Sequence, residues 1–329
     1  MWMSPWLAAA LVLGGSSALA EPGRAPAGVD TDIVPGQVDN ITTTDELEFG
    51  RDDGNRMTVD VSVSGKGPYR FVVDTGAERT IISRELAHTL SLPGGRDAVL
   101  HSVIGANGVN TVYIPDLQVS TNVISVADAP ALAASNIGAD GLLGIDSLRS
   151  QRVLFDFKTN TMSITPSARP AEKLDGDTIV VKARARKGRL IFTQAEVDGQ
   201  SVTIIVDTGS QVTIGNSALQ RALAKSNLWT APSTVTIESV TGERLNAQVS
   251  EIGKLELGGF KLEQLAVAFA DAHIFKQLDL KDKPALLLGM NAMRAFDRIS
   301  IDFASRKVRF VLPGTSMRNS FRLAMAGGI

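Results

Sequence analysis

The tripeptide Asp-Thr-Gly occurs twice in this chain, each time directly after a run of apolar, mostly β-branched residues. Asp74-Thr75-Gly76 follows Phe-Val-Val, and Asp207-Thr208-Gly209 follows Ile-Ile-Val. Such runs predict buried strands. Because a carboxylate at the end of a buried strand is costly to desolvate, its presence there twice indicates a chemical use. Two carboxylates held face to face cannot both ionise, so one serves as an acid and the other as a base.

The two tripeptides belong to a longer internal repeat. Their aspartates are 133 positions apart, and each is followed by a Leu-Leu-Gly motif, ending at Gly144 and Gly289, 145 positions apart. A third pair, Asp156 and Asp302, is 146 positions apart in two closing hairpins, and we assign it a structural role. Three correspondences in the same order predict two duplicated lobes.

Alternating apolar and polar residues within each repeat predict strands and hairpins. Residues 57–63 alternate and return as residues 69–73, while residues 190–197 turn at Asp198-Gly199 and return as residues 202–206. Asp146 and Asn291 are suited to N-cap short helices after the Leu-Leu-Gly motifs. The sequence therefore predicts an all-β fold with a few short helices. The predicted division is an N-terminal lobe at residues 56–165, a linker at 166–177, a C-terminal lobe at 178–313 and a tail at 314–329.

The second lobe is predicted to carry an insertion. From Gly108 to Gly144 is 36 positions, whereas from Gly242 to Gly289 is 47. We place the extra residues within 271–284, as a surface loop of the kind that often carries specificity or regulation.

The composition argues against several classes of function. Of 329 residues, 44% are apolar and 21% are charged, with a net charge of −2, which is typical of a folded protein and lacks the basic surface that nucleic acids require. Cysteine is absent, which removes disulfides, thiol nucleophiles and cysteine metal sites. The three histidines show no ligand spacing, so no metal is predicted.

The N-terminal region indicates export. Residues 1–20 carry no charge and place an apolar run before Gly-Gly-Ser-Ser and Ala-Leu-Ala, the order of a signal peptide with a small-residue cleavage site. We predict an exported protein, periplasmic or secreted; retention as an uncleaved membrane anchor is the alternative. Residues 21–55, rich in Pro, Gly, Asp and Thr, are predicted to form a linker or a removable pro-segment.

The order of these motifs resembles the retropepsin-like aspartic proteases, the retroviral type and its bacterial relatives. In that family an apolar-apolar-Asp-Thr-Gly loop is followed by a flap hairpin and then by an apolar-apolar-Gly segment. The resemblance runs from residue 56 to residue 311 and includes both lobes. It implies two homologous β-barrel lobes related by a pseudo-twofold axis, as a tandem version of an enzyme that retroviruses assemble from two chains.

The resemblance also implies roles for individual residues. Asp74 and Asp207 would activate a water against a peptide carbonyl, with no cofactor. The flaps would lie near residues 103–112 and 237–249 and bind an extended polypeptide. The residues expected to support the active-site loops are Thr75, Gly76, Ala77, Thr208, Gly209 and Ser210. Those expected to bind substrate from the flaps are Gly105, Asn107, Gly108, Thr241 and Gly242.

The residue after each Asp-Thr-Gly differs between the lobes. Ala77 follows the first, whereas Ser210 follows the second. A hydroxyl that donates to a carboxylate stabilises its charged form, so this difference predicts that Asp207 is the ionised partner and Asp74 the protonated one.

Two alternatives remain open from the sequence. The chain could be a protease-like module that binds extended peptides without cleaving them. Its lobes could also pair between two chains as a homodimer, rather than within one chain as a monomeric pseudo-dimer, which is the expected state.

Overall fold

The computed structural model describes residues 56–314, except residues 120–121, 175, 188 and 225–232, together with the backbone of three strands nearer the N-terminus. Those strands are β1 (Ala10–Val12), β2 (Asp45–Glu48) and β3 (Gly50–Arg51). Apart from these short strands, the predicted signal peptide and the predicted linker or pro-segment therefore lie outside the described residues.

The first lobe is a closed barrel with an attached hairpin. Its strands are β4 (Met57–Val63), β5 (Lys66–Val73), β6 (Ile81–Ser83), β7 (Ala98–Ser102), β8 (Ala106–Val109), β9 (Thr111–Val119), β10 (Asn122–Leu132), β11 (Gly141–Leu143), β12 (Gln151–Asp156) and β13 (Thr161–Pro166). Its helices are α1 (Arg84–Thr89), α2 (Ala134–Ile137) and α3 (Ile145–Leu148). The six strands β4, β5, β11, β6, β10 and β9 pair in that order, and β9 pairs back to β4 to close the barrel.

The second lobe repeats this arrangement. Its strands are β14 (Thr178–Lys182), β15 (Arg184–Arg186), β16 (Arg189–Val197), β17 (Gln200–Val206), β18 (Thr213–Gly215), β19 (Ser233–Glu238), β20 (Arg244–Leu257), β21 (Phe260–Phe269), β22 (Ala285–Leu288), β23 (Arg298–Asp302) and β24 (Lys307–Val311). Its helices are α4 (Ser217–Leu223), α5 (His273–Gln277) and α6 (Met290–Met293). Strand β16 pairs with both β17 and β20, which closes the second six-stranded ring. The predicted all-β architecture of two lobes is confirmed.

The lobes are joined by a shared six-stranded sheet in the order β14, β24, β23, β12, β13, β2. At its centre, β12 of the first lobe pairs antiparallel with β23 of the second. Arg152 Nη2 donates to Asp302 Oδ2 at 3.2 Å, and Arg298 Nε donates to Asp156 Oδ2 at 2.6 Å. The repeated aspartates thus hold one lobe to the other, which is consistent with the structural role assigned to them.

Apolar side chains from opposite faces of the strands are buried in different clusters. One large cluster joins the two barrel interiors and the shared sheet, and includes Phe71, Phe155, Phe192 and Phe310. Two smaller clusters lie on the opposite faces of the central strands, one in each lobe, where Val72 and Ile205 point. No helix in the described part of the chain has the length and hydropathy of a membrane-crossing segment.

Candidate active site

Each Asp-Thr-Gly loop begins where a central barrel strand ends. Strand β5 runs parallel to β11, and Asp74 N donates to Leu143 O at 3.0 Å. In the same way β17 runs parallel to β22, and Asp207 N donates to Leu288 O at 3.1 Å. The Leu-Leu-Gly motifs therefore form the strands that fix the two aspartates at equivalent positions.

Thr75 and Thr208 link the two loops by reciprocal hydrogen bonds. Thr75 N donates to Thr208 Oγ1 at 2.9 Å, and Thr208 N donates to Thr75 Oγ1 at 3.0 Å. Each hydroxyl then donates to the strand before the other loop, Thr75 to Val206 O at 3.3 Å and Thr208 to Val73 O at 2.8 Å. Four hydrogen bonds between buried groups hold the loops against each other, as the motif predicts.

Gly76 and Gly209 allow each loop to approach the carboxyl group of the other lobe. A Cβ at Gly76 would lie 2.4 Å from Asp207 Cγ, and a Cβ at Gly209 would lie 2.2 Å from Asp74 Cγ. No side chain fits at such distances, so glycine is required here by close packing rather than by an unusual backbone angle.

The two aspartates form one buried dyad. Both are 0% exposed, and each carboxyl group affects the pKa of the other. Burial raises the pKa of Asp74. Burial, and next the charge of Asp74, raise the pKa of Asp207 well above its ordinary value. Burial therefore favours a dyad that holds one proton between its two carboxyl groups.

The hydrogen bond that was expected to make Asp207 the ionised partner is not formed. Ser210 Oγ donates to Val212 O at 2.8 Å instead of to the dyad. In the first lobe, Asp74 Oδ1 accepts from Gly76 N at 2.7 Å and from Ala77 N at 3.1 Å, while Asp207 Oδ1 accepts from Gly209 N at 2.9 Å. Backbone amides, which no side-chain comparison reveals, favour the ionised form of Asp74.

Asp146 and Asn291, which were predicted to N-cap helices, instead each accept hydrogen bonds from a threonine behind the active-site loop of their own lobe. Asp146 Oδ1 accepts from Thr80 N at 2.9 Å and from Thr80 Oγ1 at 2.8 Å. Asn291 Oδ1 accepts in the same way from Thr213 N at 2.9 Å and Thr213 Oγ1 at 2.7 Å. The N-caps of α3 and α6 are instead the glycines of the Leu-Leu-Gly motifs. The prediction of two N-caps is therefore wrong, because these side chains brace the neighbouring loops.

A flap hairpin rises from each lobe, and both turns are built on a serine. In the first flap (β7, β8), Ser102 Oγ accepts from Ile104 N at 3.1 Å and from Gly105 N at 3.0 Å. In the second (β19, β20), Ser239 Oγ accepts from Thr241 N at 3.2 Å. The first flap is thus residues 98–109 rather than 103–112.

The predicted flap residues fall at different heights on these hairpins. Gly105 is at the tip of the first flap, and Thr241 and Gly242 are at the tip of the second. Asn107 and Gly108 lie farther down strand β8, opposite Leu100 and Val99. Gly108 is therefore a strand residue within the hairpin and not part of its turn.

The two flap tips cross to the opposite lobes. Val103, at the first tip, is 3% exposed and belongs to the apolar cluster that contains Ile205 of the second lobe. Val240, at the second tip, is 0% exposed and belongs to the cluster that contains Val72 of the first lobe. The flaps are therefore closed, and the dyad beneath them has no contact with solvent.

Comparison with known families agrees with this geometry. Residues 59–150 match the family described as "gag-polyprotein putative aspartyl protease", and residues 193–292 match the family described as "Aspartyl protease". The chain belongs to the retropepsin-like aspartyl protease family and carries two of its domains in tandem. No curated protein matches the chain. The predicted resemblance is confirmed, and both matched segments contain one Asp-Thr-Gly and one Leu-Leu-Gly motif.

Two buried arginines next to the protease dyad were missed by the sequence analysis. Arg56 is 4% exposed and Arg189 is 2% exposed. The positive charge of Arg189 opposes the rise in pKa of both Asp74 and Asp207, and Arg56 has the same effect on Asp74. Each arginine precedes the aspartate of its own lobe by 18 positions. That repeated spacing was the signal that could have identified them.

Arg189 also faces a third carboxyl group, from the other protease domain. Burial raises the pKa of Glu78, four positions after Asp74, and the charge of Arg189 opposes that rise. Nε and Nη2 of Arg189 and Oε1 of Glu78 are buried without a hydrogen-bond partner. A buried cation thus lies among three acidic side chains and compensates part of their charge.

Helix α5, which lies within residues 271–284 and has a counterpart in α2 of the first lobe, contacts the first flap. His273 N donates to Val103 O, and His101 Nδ1 lies 3.1 Å from His273 Nε2. The described residues contain no group of three or more His, Cys, Asp or Glu side chains that could hold a metal ion.

Proposed function

We propose that this chain is an aspartic endopeptidase that hydrolyses peptide bonds of extended polypeptides. The observation that carries the proposal is the buried dyad, in which Asp74 and Asp207 are both 0% exposed and each carboxyl group lies against the loop of the other lobe. The outer oxygens of the pair, Asp74 Oδ2 and Asp207 Oδ2, have no other hydrogen-bond partner among the described residues. They are the atoms available to bind a water and a substrate carbonyl.

In the proposed reaction Asp74 begins ionised and Asp207 begins protonated. Asp74, ionised, accepts a proton from the water as its oxygen attacks the peptide carbonyl carbon. Asp207 donates its proton to the carbonyl oxygen, which gives a tetrahedral diol. Proton transfer to the amide nitrogen then allows the C–N bond to break, which releases a carboxylic acid and an amine and returns one proton to the dyad. Raised pKa values let this pair hold a single proton at a higher pH than two exposed aspartates would.

The substrate is proposed to bind as an extended strand between flaps and floor. The flaps offer backbone groups at both tips, and an extended peptide satisfies such groups by strand addition. Because both halves of the site are present in one chain, we propose a monomer. Export to the periplasm or beyond the cell, based on residues 1–20, is part of the same proposal.

The flap closure favours a second candidate, a non-catalytic peptide-binding module. Val103 and Val240 occupy apolar positions in both lobes, so a substrate must displace them before reaching the dyad. If the flaps do not open far enough, a peptide would bind on their outer surface without being cleaved.

One experiment separates these candidates. The chain from residue 21 is incubated with a diverse peptide mixture at a series of values between about pH 4 and pH 7.5, and products are mapped by mass spectrometry. The variants are Asp74→Asn and Asp207→Asn. The matched control is Asp60→Asn, which alters an exposed carboxylate of the first lobe. The proposal expects cleavage that both dyad variants lose by at least about 100-fold and the control retains. Binding without cleavage by the folded protein would support the module instead.

A further inference from the structure

A pair of stacked histidines joins the first flap to the insertion of the second lobe. His101 lies on β7, and His273 is the first residue of α5. Their ring centroids are 5.3 Å apart, and the ring planes differ by 4°. His101 Nδ1 and His273 Nε2 are 3.1 Å apart, within hydrogen-bond distance. The pair is thus a direct side-chain contact between the first flap and the opposite lobe.

The histidine pair is at the base of the contacts that close the flap. One residue from His101, Ser102 Oγ donates to Glu243 Oε2 of the second flap at 3.1 Å. Val103 then accepts a hydrogen bond from His273 N and packs into the apolar cluster of the second lobe. Separation of His101 from His273 would therefore also weaken the contacts of Ser102 and Val103, which hold the flap tip over the dyad.

Two charged residues, Lys276 and Glu243, affect the pKa values of the histidine pair. Burial lowers the pKa of His101, and the charge of His273 lowers it further. Burial, followed by Lys276 on the same helix, lowers the pKa of His273, while Glu243 opposes this effect. The two strands that pair with β7, which are β1 and β8, carry no titratable residue.

The hydrogen bond between the rings depends on the number of protons the pair holds. With both rings neutral, one nitrogen donates and the other accepts. A first proton leaves this bond intact. A second proton removes the only acceptor and places two positive rings in contact, which low-dielectric surroundings make strongly repulsive. The closed flap therefore binds fewer protons than an open flap, in which each histidine titrates near its ordinary value.

We propose that His101 and His273 form an acid-released latch that keeps the first flap closed near neutral pH and opens the active site as the pH falls. This inference rests on the proposed endopeptidase function. The sign follows from linkage: the latch stabilises the closed state above the ordinary histidine pKa of about 6.5 and loses that stabilisation as the pH falls below it. The flap would then open in the same acidic pH range in which the dyad holds its proton.

Spin labels can report the flap position without any substrate. Because the chain contains no cysteine, Ala106→Cys on the first flap and Asp282→Cys on the insertion, both exposed, give two unique labelling sites. Double electron–electron resonance then measures the distance between the labels in samples from about pH 7.5 to pH 4.5. The latch predicts a narrow, short distance at the highest pH and a longer, broader one as the second histidine is protonated.

Histidine variants decide whether the latch causes this change. His101→Gln keeps a hydrogen-bonding side chain but limits the pair to one charge, so the flap is expected to stay closed across the series. His273→Gln is a second route to the same test if the first variant folds poorly. His88→Gln, at the exposed third histidine on α1, is expected to open like the parent. Opening that persists in both latch variants would assign the effect to another group, such as Glu243, and would overturn the proposal.

Cleavage assays on the same samples keep the two proposals distinct. Peptide cleavage with no pH-dependent change in label distance would refute the latch and leave the endopeptidase intact. Acid-dependent opening without cleavage at any pH would refute the endopeptidase while the latch stands.

Discussion

Gly209 lies against the carboxyl group of Asp74, from the opposite lobe. The distance of 2.2 Å from a Cβ at this glycine to Asp74 Cγ leaves no room for even a methyl group. The two lobes are therefore packed to contact at the dyad itself, and the geometry of each carboxyl group depends on the loop of the other domain.

Replacing Gly209 with Ala is expected to displace Asp74 and abolish cleavage. The methyl group would contact a fixed, buried carboxyl rather than a flexible side chain, so the loops must separate. We expect a loss in kcat/KM of at least about 100-fold, together with a lower free energy of unfolding. Gly94→Ala is the matched control, because a Cβ there meets nothing within 4 Å. Equal activity in the two variants would contradict the close packing.

The reciprocal threonines predict a specific loss of stability. Thr75→Val removes one hydroxyl and leaves Thr208 N and Val206 O buried without their partners. Unsatisfied buried groups of this kind cost about 1–3 kcal/mol each, so a fall of about 3 kcal/mol in the free energy of unfolding is expected. Urea denaturation measures it. Thr75→Ser, which keeps the hydroxyl, should recover most of the loss, whereas a purely steric role would make Val the better replacement.

Much of the site could be predicted because its residues lie close together in a short motif that occurs twice. Asp74 and Asp207 follow strand patterns that are readable alone, and the second copy removes the ambiguity of a single Asp-Thr-Gly. The supporting role of Thr75 and Thr208 was predicted because both residues belong to the same motif. The insertion at residues 271–284 was visible as a difference in spacing between the lobes, although its contact with the first flap was not.

The remaining features depend on contacts between distant segments. Two backbone amides of the first loop donate to Asp74 Oδ1, while Ser210 Oγ donates to Val212 O, and nothing in the sequence indicates which acceptor a hydroxyl selects. The hydroxyl groups of Ser102 and Ser239 accept hydrogen bonds within the flap turns, which the glycines of these segments did not indicate. The charge of Arg189 acts on the pKa of Asp207 from 18 positions earlier in the chain, and only the fold brings the two residues close together.

Arg189 is expected to set the pH range of the reaction. Its charge opposes the rise in pKa of both dyad aspartates, so Arg189→Met should raise both values and shift the pH profile of kcat/KM to higher pH. Arg189→Lys, which retains a cation, should shift it less. Arg56→Met is the matched variant of the other lobe and should also shift it less, because its charge is a minor effect on Asp74 alone. Identical profiles in all three would exclude the electrostatic role.

The two salt bridges between the lobes are expected to differ in strength. The side chains of Arg152 and Asp302 are 9% and 5% exposed, whereas those of Arg298 and Asp156 are 31% and 12% exposed. Breaking a buried pair leaves an uncompensated charge and costs about 3 kcal/mol or more. Asp302→Ala should therefore reduce the free energy of unfolding more than Asp156→Ala does. The reverse order in urea denaturation would contradict this account of the shared sheet.

Asp207→Asn is expected to stabilise the protein in a pH-dependent way while it abolishes cleavage. The folded protein raises the pKa of Asp207, so it binds a proton that the unfolded chain releases at lower pH. The contribution of this group to stability is therefore full below the ordinary aspartate pKa and is lost as the pH rises through the folded value. Asparagine carries no charge to desolvate, so the variant should gain stability relative to the parent between about pH 4 and pH 8. Asp60→Asn, at an exposed position, should show no such trend. A constant difference between Asp207→Asn and the parent over this range would mean that Asp207 is not the residue that holds the proton.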